Sequence, residues 1–449
     1  MTSRDIDDLA RQVVGWANEN EHVEAYVGCS RDIDVVVHGS EVESLSSAEI
    51  GGVGIRVVRD GKQGFAFAGS FDETVLRETL IDARDNASFA TYDEFGGLAE
   101  PDGVEPADLD LWRPQLTATS TDRKVDLALE LEKLTMCGDA RVRSVRSASY
   151  GDSMTESAIA STDGIDVSSR RSTCYIVANA IAGSADDTQT GTGYSVGRSV
   201  DDLDVQQAAD DAAQRATRLL GATQPASSRV SVIFDPTVTP ALLGILASTL
   251  NGELVLKGRS LFAGRSGETV ASSSVTLLDD PTVAEAFGAA RYDSEGLACR
   301  RNVLIDNGVL QGFLYNSYAA RRAGARSTGS AVRAGYKSTP GVGSRAIVLS
   351  PGMSTPVELA AELGNGILVQ AVSGVHSGVN PVSGDFSVGV EGLRIVDGQL
   401  GEPIREATIA STLQRMLQDV VGIGNDLTWL PGGAAGVSLA VEGVSLSGR

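Results

Sequence analysis

Histidine is nearly missing from this 449-residue chain: there are three, His22, His38 and His376, and none between positions 39 and 375. The gap excludes a helical H-E-x-x-H zinc motif, which needs two imidazoles one turn apart. Cysteine is scarce too. Cys29, Cys137, Cys174 and Cys299 stand far apart without a C-x-x-C pair, which fits reduced thiols better than a disulfide framework or a zinc knuckle. Proline is sparse at 13 against 51 glycines, and the glycines follow no G-x-y period, so collagen is excluded and many tight turns are expected. No apolar run approaches the roughly 18 residues of a membrane span. The opening MTSRDIDDLARQ lacks the basic and apolar regions of a signal peptide, so the expected location is cytoplasmic, with no membrane contact. A phosphate loop is absent, and Gly51-Gly52-Val53-Gly54 runs into a strand rather than a helix.

Positive charge is also in short supply. Thirty-seven Lys and Arg face 59 Asp and Glu, for a formal net charge of -22 and a pI near 4.6. Such a surface repels phosphate backbones, and nucleic acid is not expected as a partner. The adjacent pairs Arg170-Arg171, Arg300-Arg301 and Arg321-Arg322 read as solvated surface residues. What remains is an ordinary globular composition, 42% hydrophobic and 21% charged, long enough for two or three domains.

Apolar spacing sets out an α+β order. Ile6, Leu9, Val13 and Ala17 mark an amphipathic helix, with Thr2 and Asp5 as its capping pair. Strand-like runs follow at 23–29, 34–39, 53–58 and 63–68, the last two joined through Asp60-Gly61, a hairpin dipeptide. Helices are predicted over 72–88 and 120–136, separated by an aperiodic stretch at 94–117. Strands at 141–182 and an Ala-rich helix at 202–220 close the first half. Residues 223–228 (TQPASS) read as a linker, so the expected domains are an α+β domain over 1–225 and a β-rich domain with few helices over 226–449. In the second half a strand at 230–234 and a helix at 240–250 precede short strands. Asn307-Gly308 and Asp397-Gly398 mark two more hairpins, and a last helix is predicted over 407–421.

Few residues carry chemistry. Gly193-Tyr194-Ser195-Val196-Gly197 matches the nucleophile elbow in letters, but the preceding Asp186-Asp187-Thr188-Gln189-Thr190-Gly191 is polar where an apolar strand is required. The pairs Asp279-Asp280 and Asp293-x-Glu295 could do acid–base work, set against the commoner use of such acids in turns. His376 lies in the turn-rich Ser373-Gly374-Val375-His376-Ser377-Gly378, where it is a candidate to face a substrate.

Longer stretches say more. Residues 291–330, RYDSEGLACRRNVLIDNGVLQGFLYNSYAARRAGARSTGS, carry D-x-E-G, G-V-L-x-G and S-T-G in order. Gly378-Val379-Asn380-Pro381-Val382-Ser383-Gly384-Asp385-Phe386-Ser387 follows, then Gly392 to Gly398 and Ile423-Gly424-Asn425-Asp426, while GIRVVRDGKQGFAF at 54–67 makes a first hairpin. This set resembles the TldD/PmbA family, also called modulators of DNA gyrase, over essentially the whole chain. The resemblance implies a protease complex in which TldD-like subunits hold a catalytic metal with a His-Glu-x-x-x-His segment and a C-terminal Cys. TldE-like subunits lack that set and pair with TldD to act on unfolded or flexible peptides.

Anchored on Lys257-Gly258-Arg259-Ser260-Leu261-Phe262, an ungapped register puts Leu243, Gly244 and Ser248 at the His, Glu and His positions, and the end of the chain, LPGGAAGVSLAVEGVSLSGR, has no Cys. None of these three side chains makes a good zinc ligand or general base. The expectation is therefore a non-catalytic TldE/PmbA-like subunit with no catalytic residue, metal or cofactor of its own. Its partners would be a TldD-like catalytic subunit and a peptide. Asp293, Glu295, Gly296, His376 and Asn380 are its candidate substrate-binding residues. Two alternatives stand beside it: a regulatory protein that binds DNA gyrase, and a metal-independent hydrolase using Ser195, Asp293 or Glu295.

Overall fold

The computed structural model describes residues 3–184 and 187–449. Alternation of apolar residues builds a first sheet from β1 (His22–His38), β2 (Glu41–Arg59), β3 (Lys62–Ala68), β4 (Val142–Ser161), β5 (Asp166–Ser184) and β6 (Asp187–Gly197). Its order is β3-β2-β1-β4-β5-β6, antiparallel throughout. Helices α1 (Ser3–Val14), α2 (Glu73–Phe89), α3 (Gln115–Ala118), α4 (Thr121–Gly138) and α5 (Val205–Thr217) complete this half.

One face of the sheet carries two apolar stretches, separated at Arg31, which pairs with Glu49. Val23, Ala25 and Val27 of β1 pack under Ile6, Leu9, Val13 and the α2 stripe Leu76, Leu80, Ala83 and Ala87. Farther along the same strand and with the same parity, Ile33, Val35 and Val37 meet α4 and the alanines of α5. Asp72, Ser120 and Asp204 cap α2, α4 and α5 by accepting backbone N–H groups of the first turn.

Beneath α4 the apolar layer holds one buried ion pair. Lys124 Nζ lies 2.5 Å from Asp152 Oδ2, with both side chains 3% exposed, and Tyr150 donates its hydroxyl proton to the same oxygen at 2.7 Å.

The second half begins with β7 (Ser228–Phe234), α6 (Thr239–Thr249) and α7 (Gly252–Leu256). β8 (Leu277–Asp279), β9 (Asn302–Asp306), β10 (Val309–Leu310), α8 (Ser317–Ala323), β11 (Ala331–Val332), β12 (Gly341–Val342) and β13 (Ile347–Leu349) follow. Then come α9 (Pro356–Leu363), β14 (Gly366–Ser373), α10 (Val375–Gly378), β15 (Asp385–Val396), β16 (Gln399–Thr412), α11 (Leu413–Gln418), β17 (Val420–Ile423), β18 (Thr428–Trp429), β19 (Ala435–Gly436) and β20 (Leu439–Ser447). The order β16-β15-β14-β7-β20-β17 closes on itself, because β16 also pairs with β20 from Thr408–Ser447 to Ala410–Ser445. The largest core fills this closed sheet and runs on under α6 through Leu242, Leu243, Leu246 and Leu250.

The α+β class holds, with the second half rich in strands and its helices short. All three hairpin dipeptides turn as their chemistry requires, with both residues at positive φ: Asp60 and Gly61, Asn307 and Gly308, Asp397 and Gly398. Runs 23–29 and 34–39 are one strand, β1, because residues between them continue the register with β2 and β4. The helix predicted over 407–421 is strand to Thr412 and helix only from Leu413, since β16 is held on both edges and Thr408, Ile409 and Thr412 are β-branched. Residues 223–228 are tied to the second sheet, through a Thr223–Ile404 bridge and a Ser227 N–H donated to Arg449 O. Thr2, assigned to the first cap, and Asp186, in the run before Ser195, lie outside the described residues.

The reading of the arginine pairs needs correction. Arg321 donates to the carbonyls of Phe95, Gly97 and Leu98, Arg300 pairs with Asp102 at 2.6 Å, and Arg171 is half-buried. Arg321 and Arg300 thereby tie the second half to the aperiodic stretch after α2, and Arg171 is partly covered, while Arg170, Arg301 and Arg322 are exposed as expected. The described residues contain no helix long and apolar enough to cross a membrane.

Lys124→Met should cost about 3–5 kcal/mol in a denaturant titration, because it leaves Asp152 buried without its cation. Adding Asp152→Asn should recover most of that loss. A single substitution that leaves stability unchanged would show that the pair does not hold α4 down.

Candidate functional site

The helix-free face of the first sheet is polar where the second half lies against it. Glu24 of β1 stands directly opposite Arg56 of β2, and the two form an ion pair, Nη2 to Oε2, at 2.5 Å. Arg333 adds Nη2 to Glu24 Oε1 at 2.8 Å, and Glu295 Oε1 lies 3.9 Å from Arg56 Nη1. All four side chains are at most 5% exposed, so two cations and two anions balance within a buried cluster. Burial by itself raises the Glu24 pKa, but Arg56 and Arg333 outweigh it and hold the carboxyl below its ordinary value.

Close backbone approach makes this cluster possible. A Cβ on Gly52 would stand 2.5 Å from Tyr336 Cε2, and one on Gly54 2.4 Å from Tyr336 O. Gly52 and Gly54 of the Gly51-Gly52-Val53-Gly54 run thus clear the sheet face for Tyr336, a docking role in place of a phosphate role.

Asp293, Glu295 and Gly296 come together in one turn. Asp293 Oδ1 accepts the N–H groups of Glu295 and Leu297, and Oδ2 accepts that of Ala331. Burial, followed by the Glu295 carboxylate, pushes the Asp293 pKa up, opposed by these amides and Arg345. Glu295 Oε2 accepts the N–H of Ser317 at the start of α8. Gly296 has φ of +85°, and a Cβ there would lie 2.4 Å from Ile165 Cγ2 of the opposing half. Asp279 is likewise buried and takes the N–H groups of Arg345 and Ala346.

His376 and Asn380 stand apart from this turn. Both are exposed: His376 is on α10, and Asn380 Oδ1 accepts the N–H groups of Val382 and Ser383 in the loop before β15. Ser195 lies inside β6 opposite Ile176, and its hydroxyl accepts the N–H of Asp204 at 2.9 Å. It is not at a strand-to-helix turn, so the nucleophile-elbow geometry is missing.

Beside the acidic turn a cavity of about 570 Å³ opens between the two halves. Its floor is the sheet face at Tyr26, Thr155, Ser157, Ile159 and Arg171, and its roof comes from residues 289–294, 332–335 and Arg345. Leu111 and Trp112, from the stretch before α3, close one side. Neither the α6 positions nor His376 and Asn380 line it.

Three domain models of one family match the chain in order: "PmbA/TldA metallopeptidase domain 1" over residues 23–87, the "central domain" over 114–220 and the "C-terminal domain" over 227–448. The chain belongs to the PmbA/TldD family. The relative named Metalloprotease PmbA from Escherichia coli O157:H7 is 26% identical over 417 residues, 92% of this chain and 89% of that one. A crystal structure from Thermotoga maritima MSB8, named as a modulator of a DNA gyrase, superposes with TM-score 0.91 at 24% identity, covering 98% and 100% of the two chains. TldE from Thermococcus kodakarensis superposes with TM-score 0.89 at 24% identity and covers all of both chains. PmbA/TldD membership gives the chain a protease-related role at the level of the family.

A metallopeptidase centre does not fit the residues present here. On α6, Leu243 is buried in the core, while Gly244 and Ser248 are exposed and Ser248 donates its hydroxyl to Ile245 O. Among the described residues no group of three or more His, Cys, Asp and Glu side chains is placed to hold a metal ion.

Two outcomes test the buried cluster. Glu24 has a depressed folded pKa, so the stability it lends is present above its ordinary 4.5 and lost as pH falls through the lowered value. Glu24→Gln should cost about 3–5 kcal/mol at neutral pH. That deficit should narrow in urea titrations as the pH drops below 4.5; a deficit constant with pH would separate Glu24 from acid unfolding. Gly296→Ala combines a left-handed φ with a clash and should cost on the order of 2–4 kcal/mol. An unchanged melting temperature would mean that the turn tolerates a Cβ.

Proposed function

We propose that this chain is the non-catalytic, TldE/PmbA-like subunit of a cytoplasmic TldD/TldE-type metalloprotease complex that processes unfolded or flexible peptides. The observation that carries this reading is α6: Leu243, Gly244 and Ser248 stand where the family resemblance places His, Glu and His. Leucine has no donor atom, glycine has no side chain to act as a base, and a serine hydroxyl is a poor zinc ligand. Membership along the full length of the chain supports a retained scaffold with a complementary role, and the catalytic metal is supplied by a TldD-like partner. The relatives named PmbA and TldE fit that assignment. In this reading the candidate substrate residues divide: Asp293, Glu295 and Gly296 shape the wall of the peptide chamber, while His376 and Asn380 sit on an exposed loop free to meet a partner or a peptide.

The test is to purify the chain alone and co-expressed with the TldD-like subunit of the same organism, and to assay an unstructured fluorogenic peptide. The lone chain should show no chelator-sensitive cleavage. The complex should cleave, lose activity with 1,10-phenanthroline, and keep its full rate with Ser195→Ala. Metal-dependent cleavage by the lone chain would overturn the assignment, and a Ser195-dependent rate would favour a hydrolase of another kind. Recovery of gyrase from a pull-down without a TldD-like subunit would favour the role suggested by the Thermotoga maritima neighbour's name.

A further inference from the structure

The cavity between the halves is cationic in a chain of formal net charge -22. Five arginines line it, Arg170, Arg171, Arg291, Arg333 and Arg345, against two acids, Asp110 and Asp293. Neither acid is free to neutralise them. Asp110 pairs with Arg113 at 2.8 Å, and the Asp293 carboxylate is taken up by three backbone amides.

The arginines are not alike. Arg170 lies over the Trp112 ring and Arg291 over Tyr292, both exposed. Arg333 is 1% exposed, stacked 4.6 Å over Tyr26 and paired with Glu24. Arg345 uses Nη2 on Ser294 Oγ and Ala331 O. The Nε groups of Arg333 and Arg345 are buried with no acceptor. Arg171 is the outlier: half-buried on β5, it has no hydrogen-bond acceptor or ion-pair partner among the described residues. Burial, then Arg345 and Arg198, push its pKa down to about 10, which still leaves it charged at neutral pH. Leaving a guanidinium desolvated beside a second one is costly unless an anion is bound there.

From this arrangement we propose that the cavity is a carboxylate-binding site in which Arg171 and Arg345 receive the C-terminal carboxylate of a short peptide. The number of uncompensated charges sets the class. Arg333 is already balanced by Glu24, and Arg170 and Arg291 are exposed and stacked on aromatic rings, so the covered part of the site comes down to Arg171 and its neighbour Arg345, which suit a planar carboxylate bound in bidentate fashion. Beside the arginines, Tyr26, Leu111, Ile159 and Tyr292 offer an apolar wall for the last side chain, and about 570 Å³ accommodates a ligand of two or three residues. That the carboxylate is carried by a peptide rests on the function proposed above; the anion site itself rests on the cavity.

Binding is measured on the full chain without its partner, so the result does not depend on whether a complex cleaves peptides. The probes are acetyl-Ala-Ala-Phe with a free C-terminus, the same peptide as its C-terminal amide, and inorganic phosphate, followed by calorimetry and by the fluorescence of Trp112 against a Trp112→Phe control. The free acid should bind at least tenfold more tightly than the amide and weaken with added salt. Arg171→Gln should melt no lower than wild type, since its guanidinium holds no protein group, yet lose at least tenfold in affinity for the free acid. Equal binding of acid and amide, or affinity unchanged in Arg171→Gln, overturns the proposal. Phosphate binding that depends on Arg171, without binding of the peptide acid, also overturns it while leaving the subunit assignment intact. Tight binding of the acid by a chain that fails to support cleavage in any complex would uphold the site and overturn the subunit role.

Discussion

Two carboxylates and two guanidiniums closed off from water, Glu24 and Glu295 with Arg56 and Arg333, are the constraint on which the arrangement of this chain depends. The cluster draws one residue from each of two neighbouring strands in the first sheet and two from loops of the second half. Its cost is desolvation, which falls on all four groups whenever the halves are docked. Its gain is realised only when all four meet, because losing any one member leaves an uncompensated buried charge. Such a set specifies one docked geometry more sharply than an apolar contact of equal area. The glycines at 52, 54 and 296 serve it, since each removes a Cβ that would hold the halves apart.

Much of this was legible in the sequence, and the limits follow from range. Features determined within a few residues came through: the three Asp-Gly and Asn-Gly hairpins and the helices near 72–88, 120–136 and 240–250. The resemblance carried by D-x-E-G and G-V-N-x-x-S-G-D-F-S held along the whole chain. Features set by partners distant in sequence did not. Residues 407–412 read as helix until both edges of β16 were seen to be paired. Arg321 and Arg300 read as solvent-facing because their acceptors, Phe95 to Leu98 and Asp102, lie some two hundred positions away. Arg171 carries no local signal at all, since nothing near it in the chain says that the second half covers it.

The proposed division of labour between subunits turns on α6. Leu243 is part of the core, and the exposed positions carry Gly244 and Ser248. The conserved shape and the missing donors fit together if the scaffold serves as a wall of a chamber whose reacting group lies elsewhere.

A wall need not be passive. In a protein this acidic, general electrostatics would drive a carboxylate-bearing peptide away from most of the surface. A cavity in which a guanidinium is held half out of water reverses that preference at one place only. Because the Arg171 guanidinium bonds to no described group of the protein, the fold bears its desolvation without a compensating hydrogen bond or ion pair. A residue that costs stability without serving the fold is best explained by what it binds. The buried cluster and the cavity then have separate tasks on one face of one sheet: balanced charge docks the halves, and unbalanced charge is left over for a ligand.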